Sequence, residues 1–414
     1  MNNSASVWQR LAAAPHHGMF LAGALQGVFT LLWWVLDLAG RHDIAVAPLE
    51  WSITPIWAHA FLMIYGFFSF FILGFLFTTF PNWMNGEKIQ PRHFVASCLL
   101  MIAGIAIFYL GLATEKLIAA TGVAILLGGF SIAVYALLRV LLKAKDKDRR
   151  HSTAASAALI SGWLGIAAYL LWLLTENSIM LDFSRSAGIW FFLLPVVMTV
   201  SHRMIPFFSS RVLEDYVLVR PYWILWLMLA CSAAHGVLQL WKNAFPYLWL
   251  FDLPLGACAV YLSVTWGLLR SFHVHLLAVL HIAFAWLGLS MLLYGTQSLL
   301  FFMSGGELLV FGLAPLHALT IGYFANMVLG MASRVTLGHS GNALVLDKFT
   351  WLLFIGFQAA VLLRIFPDLL PDTFGTATMT LYLLAGLSWL ICFTLWAARY
   401  VPLYWRPRID DKPG

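Results

Sequence analysis

Histidine is the residue type with the most chemistry to offer in this chain. Thirteen stand among 414 residues of which only 10% are charged, and several interrupt long apolar runs, where a polar side chain is costly unless it faces a partner. A neutral imidazole offers iron or copper a nitrogen lone pair, so the positions of these rings within the runs matter. At a rise of ~1.5 Å per residue, His59, His235 and His317 share a layer within ~6 Å of depth. His59 and His317, on different runs, meet the requirement of a bis-histidine haem for two ligands at nearly equal depth. A second layer toward the opposite face holds His16, His17, His202, His273, His275, His281 and His339, together with Arg203 and Arg334. His273 and His275 lie about 200° apart around a helix and do not chelate one ion unless the helix starts later; His273 and His281 are two turns apart. A hydrogen-bonded packing role stands as the plain alternative for each ring. His93 and His151 read as solvated interface residues, and His42 as a loop residue.

The elements that must carry these rings follow from composition. With 62% hydrophobic residues, the chain lies outside the soluble globular range. Apolar runs of roughly 20 residues match a hydrocarbon core ~30 Å thick and satisfy their backbone groups there only as helices. Twelve such runs are present, with cores at 19–38, 56–79, 94–112, 117–140, 154–174, 187–205, 222–241, 247–268, 276–302, 308–332, 349–366 and 375–398. The expected fold is an all-α polytopic membrane protein. Nineteen of the 24 Lys and Arg fall on the connections that share a side with the N-terminus, and five on the other. That bias places both termini in the cytoplasm, and the even number of helices agrees. The organisation is therefore a cytoplasmic segment 1–18, a twelve-helix domain 19–398 and a cytoplasmic tail 399–414. The KAKDKDRR run at 143–150 reads as an anchor at an anionic lipid surface rather than a nucleic-acid site.

Other chemistry is excluded or less specific. Cys98, Cys231, Cys258 and Cys392 stand singly in apolar runs, which argues against a disulfide framework or a zinc knuckle. No phosphate-binding glycine loop is present. Asp37, Asp252 and Glu307 lie in or near the outer half; each is either a proton relay or an interface residue with a basic partner such as Arg364. Gly322, Asn326 and Gly330 form a small-residue stripe suited to close helix contact.

Four segments carry a family resemblance: WAHAFLMIYGFFSFFILGFLFTTFPNW (57–83), RMIPFFSSR (203–211), LLAVLHIAFAWLGL (276–289) and LHALTIGYFANMVLGMASRVTLGHSG (316–341). The chain resembles the NnrS proteins, haem- and copper-containing membrane proteins linked to nitric oxide metabolism in denitrifying and nitrosatively stressed bacteria. The last segment is the most specific. There the family pairs a helix-10 histidine with a following T/S-R-x-x-L-G-H-[ST]-G loop, matched by Ser333, Arg334, Leu337, Gly338, His339, Ser340 and Gly341. His59, His281 and His317 fall on family histidines. The chain departs where the family runs W-H-x-H-E-M, since here Trp57, Ala58, His59, Ala60, Phe61, Leu62 and Met63 keep one histidine. It departs again at the entry to the first helix, where Pro15, His16 and His17 replace a charged F-R-P-F-F-like pattern.

The resemblance implies a protein of the bacterial inner membrane that binds a b-type haem, with copper as a second metal, and meets nitric oxide as it partitions into the lipid bilayer. An electron donor is implied but not identified. If the protein is an enzyme, it is a haem-dependent oxidoreductase acting on nitric oxide; otherwise it shields metal centres from nitrosylation. His59 and His317 are the expected outer ligands, with His235 in their layer. A second centre draws on His281 with His16, His17 or His202, while Arg334 and His339 anchor the loop after helix 10. Arg203 and Arg334 suit cofactor carboxylates. A twelve-helix secondary transporter without cofactor is the alternative, although no half-to-half repeat of the transporter kind is evident. A copper or haem delivery factor using the same histidines is a third reading.

Overall fold

The computed structural model describes residues 6–42, 47–146, 148–241 and 243–409. Lys147, Lys242 and Lys412 of the charge count, and the extreme ends of both terminal segments, lie outside the described residues. Among the described residues twelve helices are long and apolar enough to cross a membrane, and no strand occurs. They are α1 Pro15–Arg41, α2 Pro55–Trp83, α3 Pro91–Ala113, α4 Lys116–Lys143, α5 Arg150–Thr175, α6 Ser178–Val212, α7 Tyr222–Gln239, α8 Phe245–Thr265, α9 His275–Met303, α10 Ala314–His339, α11 Lys348–Leu369 and α12 Thr378–Tyr404. All twelve expected runs form helices, the tenth starting at Ala314 rather than at 308.

Local chemistry sets many of the boundaries. Pro15, Pro55 and Pro91 open α1, α2 and α3, where a missing N–H costs nothing and the fixed φ is helical. Side-chain caps begin two others: Asn177 accepts from the Ile179 N–H at 3.0 Å, and Asp347 from the Thr350 N–H at 2.9 Å. α9 starts at His275, so His273 lies before the helix and the expected i, i+2 separation of that pair around one helix does not apply. α10 continues through His339, which places Arg334 and His339 in its final turns instead of the expected loop. The chain turns only afterward. Gly341 takes a φ of 75°, and the Asn342 N–H reaches back to the Leu337 carbonyl at 3.1 Å, closing the helix end as a left-handed glycine does.

Three helices contain a π-helical stretch: Leu62–Phe67 in α2, Ala187–Leu193 in α6 and Ala318–Ala325 in α10. Such insertions widen a turn and collect at functional sites. His59 and His317 lie just before two of them.

The chain divides into two compact units. The first holds 1–193, 332–344 and 393–414, and the second holds 194–331 and 345–392. In the first, α3 and α4 approach so closely that a Cβ on Gly104 would stand 2.6 Å from the Leu126 amide nitrogen and 2.7 Å from the Gly122 carbonyl. Phe67, Phe71, Phe393 and Trp396 fill its core beside α1. In the second, Gly322 packs under Trp286 and Gly330 under Leu280, so the glycines of the α10 stripe do admit α9 at close range. Asn326 does something else: its Nδ2 donates to the Ile321 and Gly322 carbonyls at 2.9 and 3.0 Å, both within the π-helical stretch.

Candidate functional site

The tightest gathering of imidazoles is in the first unit. Ala14 is extended and Pro15 starts α1, so His16 and His17 occupy its first turn, about 100° apart around the axis. His16 turns inward and is 1% exposed. Its ring centroid lies 4.5 Å from that of His17 and 4.4 Å from that of His339. The other two rings are half-buried.

The hydrogen bonds decide the tautomers. His17 Nδ1 lies 2.8 Å from the Arg10 carbonyl and His339 Nδ1 3.0 Å from the Val335 carbonyl. A carbonyl only accepts, so Nδ1 carries the proton in both and the neutral rings keep a lone pair on Nε2. His16 Nδ1 lies 3.4 Å from Thr78 Oγ1. That hydroxyl already donates to the Gly74 carbonyl at 2.8 Å, so it can only accept from His16, and His16 Nε2 bears the lone pair as well. Among the described residues His16 Nε2 has no hydrogen-bond partner, an omission that costs about 1–3 kcal/mol when a polar atom is buried. Residues near the C-terminus close over the group: Tyr404 stacks on His17 at 6.2 Å with its hydroxyl 3.3 Å from Thr336 Oγ1, while Arg10 donates to the Trp405 carbonyl at 3.0 Å.

The second unit contains a buried acid–imidazole pair. His235 Nδ1 on α7 stands 2.6 Å from Asp252 Oδ1 on α8, both residues 1% exposed, and the Tyr294 ring of α9 meets the imidazole edge-on at 5.3 Å. Asp252 fixes the tautomer with the Nε2 lone pair directed away, the arrangement in which a carboxylate orients a metal-ligating histidine. The outer-half acids Asp37, Asp252 and Glu307 read in the sequence as proton relays or as interface residues with a basic partner such as Arg364. Instead Arg364 pairs with Asp368 at 2.8 Å, Asp37 pairs with Arg41 and accepts from Trp51, and Glu307 is exposed. The sequence marked His235 and Asp252 separately, as a histidine and an acid of the outer half, and depth along the helices did not join them across the α7–α8 hairpin.

The remaining candidates have these surroundings. His281 is buried on α9, with Nε2 3.0 Å from Ser209 Oγ. His202 is buried on α6 and donates to the Pro221 carbonyl at 3.2 Å. Ser209 stands seven residues beyond His202 on the same helix, about 10 Å along its axis, so these two rings are bonded at different levels. His59 stacks on Trp34 at 3.9 Å between centroids. His317 Nδ1 donates to the Leu313 carbonyl at 3.0 Å, which again leaves the lone pair on Nε2. Arg203 is half-buried on α6, and Arg334 is 8% exposed near the end of α10. His275 stacks face to face on Trp351 at 4.3 Å. His151, expected at a solvated interface, is 2% exposed, because α5 packs that face inward. Among the described residues no three or more His, Cys, Asp or Glu side chains converge on one metal position as they stand.

A protein-family model described as NnrS protein matches residues 10–408. No curated protein matches the chain.

Proposed function

As the chain belongs to the NnrS family, we propose that it is a haem-binding protein of the bacterial inner membrane acting in the nitric oxide response, with both termini in the cytoplasm. The observation that carries the reading is the His235–Asp252 pair, a buried imidazole whose tautomer is set by a carboxylate at 2.6 Å. Its donor chemistry fits haem iron, which takes neutral imidazole nitrogen. His59 and His317 are further ligand candidates by their family positions. Arg203 and Arg334 are candidates for holding haem carboxylates through their guanidinium forks. Bound haem would supply an iron at which nitric oxide binds. The protein's own contribution is to fix the imidazole, exclude water and admit a lipid-soluble ligand from the bilayer. Either reduction of nitric oxide with an external electron donor or protection of other metal centres follows from such binding. Copper, the second metal the family resemblance implies, takes the same imidazole donors.

The test is an optical spectrum of the detergent-purified chain with haem quantified as its pyridine complex. A Soret band with sharp reduced α and β bands is expected, lost in His235→Ala and weakened 10–100-fold in haem affinity in Asp252→Asn, the range for removing a ligand-orienting partner. A folded but colourless protein overturns the haem reading. The twelve spanning helices would then favour a secondary transporter.

A further inference from the structure

We propose that Lys88, His93, Arg139 and Lys143 hold the phosphate of one anionic phospholipid in a recess where α3 starts and α4 ends. The recess lies within the first unit, between the connection after α2, the start of α3 and the last two turns of α4. Among the described residues that line it, Lys88, Arg139 and Lys143 are permanent cations and Glu87 is the one carboxylate. Glu87 does not neutralise them. It approaches Lys143 at 3.9 Å with side chains 79% and 54% exposed, and an ion pair so long and so wet contributes little. Arg139 is half-buried and makes no ion pair among the described residues. A charge drawn partly out of water is costly unless an opposite charge joins it, so the recess favours an anion. His93 completes the wall, its ring edge-on to Tyr135 at 5.9 Å, and an imidazole N–H can donate to a phosphate oxygen.

The walls are held by the protein itself. The Gly86 N–H returns to the Pro81 carbonyl at 2.9 Å, and a Cβ on Gly86 would stand 3.1 Å from Val140 Cγ1, so the connection that carries Lys88 packs closely on α4. Ile89, Ala136 and Val140 are buried and give the recess an apolar floor. One face of α4 explains why the phosphate comes on a lipid. Tyr135, Arg139, Leu142 and Lys143 follow one another at helical spacing, and Tyr135 and Leu142 are 57% and 78% exposed. Large apolar side chains exposed beside cations at the end of a spanning helix mark the headgroup level, where tyrosine gathers and basic pockets between helices take lipid headgroups. A free phosphate would gain from the cations but not from the apolar face. The site also differs from the 143–150 run, which attracts an anionic surface diffusely, because the recess takes one headgroup at fixed residues.

The experiment uses the full chain, delipidated in detergent and titrated with dioleoyl-phosphatidylglycerol or, for comparison, zwitterionic dioleoyl-phosphatidylcholine. Native mass spectrometry counts the lipids bound per chain. One saturable phosphatidylglycerol adduct is expected, bound about tenfold or more tightly than phosphatidylcholine. Arg139→Gln and Lys88→Gln should each weaken it about fivefold, the effect of one basic side chain near an anionic headgroup, and the double variant about 25-fold. Lys145→Gln, in the 143–150 run but outside the recess, should leave it unchanged. Lys88 is exposed on the connection, so its variant keeps the test decisive if Arg139→Gln fails to fold. Equal affinity for the two lipids overturns the assignment, as does a phosphatidylglycerol adduct that folded Lys88→Gln and Arg139→Gln variants keep at full strength or that Lys145→Gln loses. Inorganic phosphate that displaces the lipid at matching concentration overturns the lipid as the source of the anion.

Discussion

Two buried imidazoles in this protein are stabilised to different degrees by their surroundings. His235 has a carboxylate at 2.6 Å, while His16 has one long contact and an unsatisfied nitrogen. Removing Asp252 should therefore be expensive. Asp252→Ala leaves a buried donor unpaired and is expected to cost about 2 kcal/mol, whereas Asp252→Asn keeps an acceptor and should lose less. Thermal unfolding of the purified protein in detergent measures both, and equal stability of the two variants would contradict the pairing. Replacing His16 by Leu has the opposite sign. It removes an unsatisfied polar atom with a side chain of similar volume, so stability should hold or rise by about 1 kcal/mol. The histidines were visible in the sequence as a set, and so was the need for partners. Which partner each one found was not, because a ring on a helix reaches only what the neighbouring helix turns toward it.

At the scale of elements the π-helical stretch of α10 is held open by a relay of side chains. Asn326 Nδ2 covers the Ile321 and Gly322 carbonyls, its Oδ1 accepts from Gln358 at 2.7 Å, and Gln358 in turn accepts from the Trp286 indole at 2.7 Å. The relay ties α9, α10 and α11 at one level. Asn326→Leu should therefore destabilise the protein by about 1–3 kcal/mol, the cost of leaving buried polar groups unmet. Amide exchange should accelerate across 318–326 relative to the rest of α10, and unchanged protection there would count against the relay. At the α3–α4 contact, a Cβ on Gly104 would run into the backbone of α4, so Gly104→Val is expected to cost about 1–3 kcal/mol by overpacking. The Gly322, Asn326 and Gly330 stripe was read correctly as a contact for its glycines. The π-helical stretch was not legible, because an inserted residue rotates the rest of the helix by about 100° while leaving composition and periodicity nearly unchanged.

At the scale of the whole molecule, the distribution of positive charge predicts an orientation. Nineteen basic residues on one set of connections against five on the other predict a cytoplasmic loop after α4. A single cysteine at Lys145 should resist a membrane-impermeant thiol reagent added to intact cells, and one at Glu50, before α2, should react. The reverse pattern would invert the topology. The native cysteines lie in the helices, buried or half-buried, and are replaced in the parent used for this labelling.

The sequence by itself determined the class of protein, the number of spanning helices and their approximate ends. Each depends on local quantities: the length of an apolar run, the backbone's need for internal hydrogen bonds in lipid, and prolines or caps at helix starts. It also marked the histidines and, through four segments, the family. Only the tertiary structure decided that His16 and His17 meet His339, that His235 belongs with Asp252, and that His281 and His202 bond to Ser209 and to the Pro221 carbonyl. Depth along a helix is a sum of rises and can be read from position. Azimuth depends on packing against residues up to hundreds of positions away and on each π-helical insertion, so the company a side chain keeps is settled only when the helices assemble.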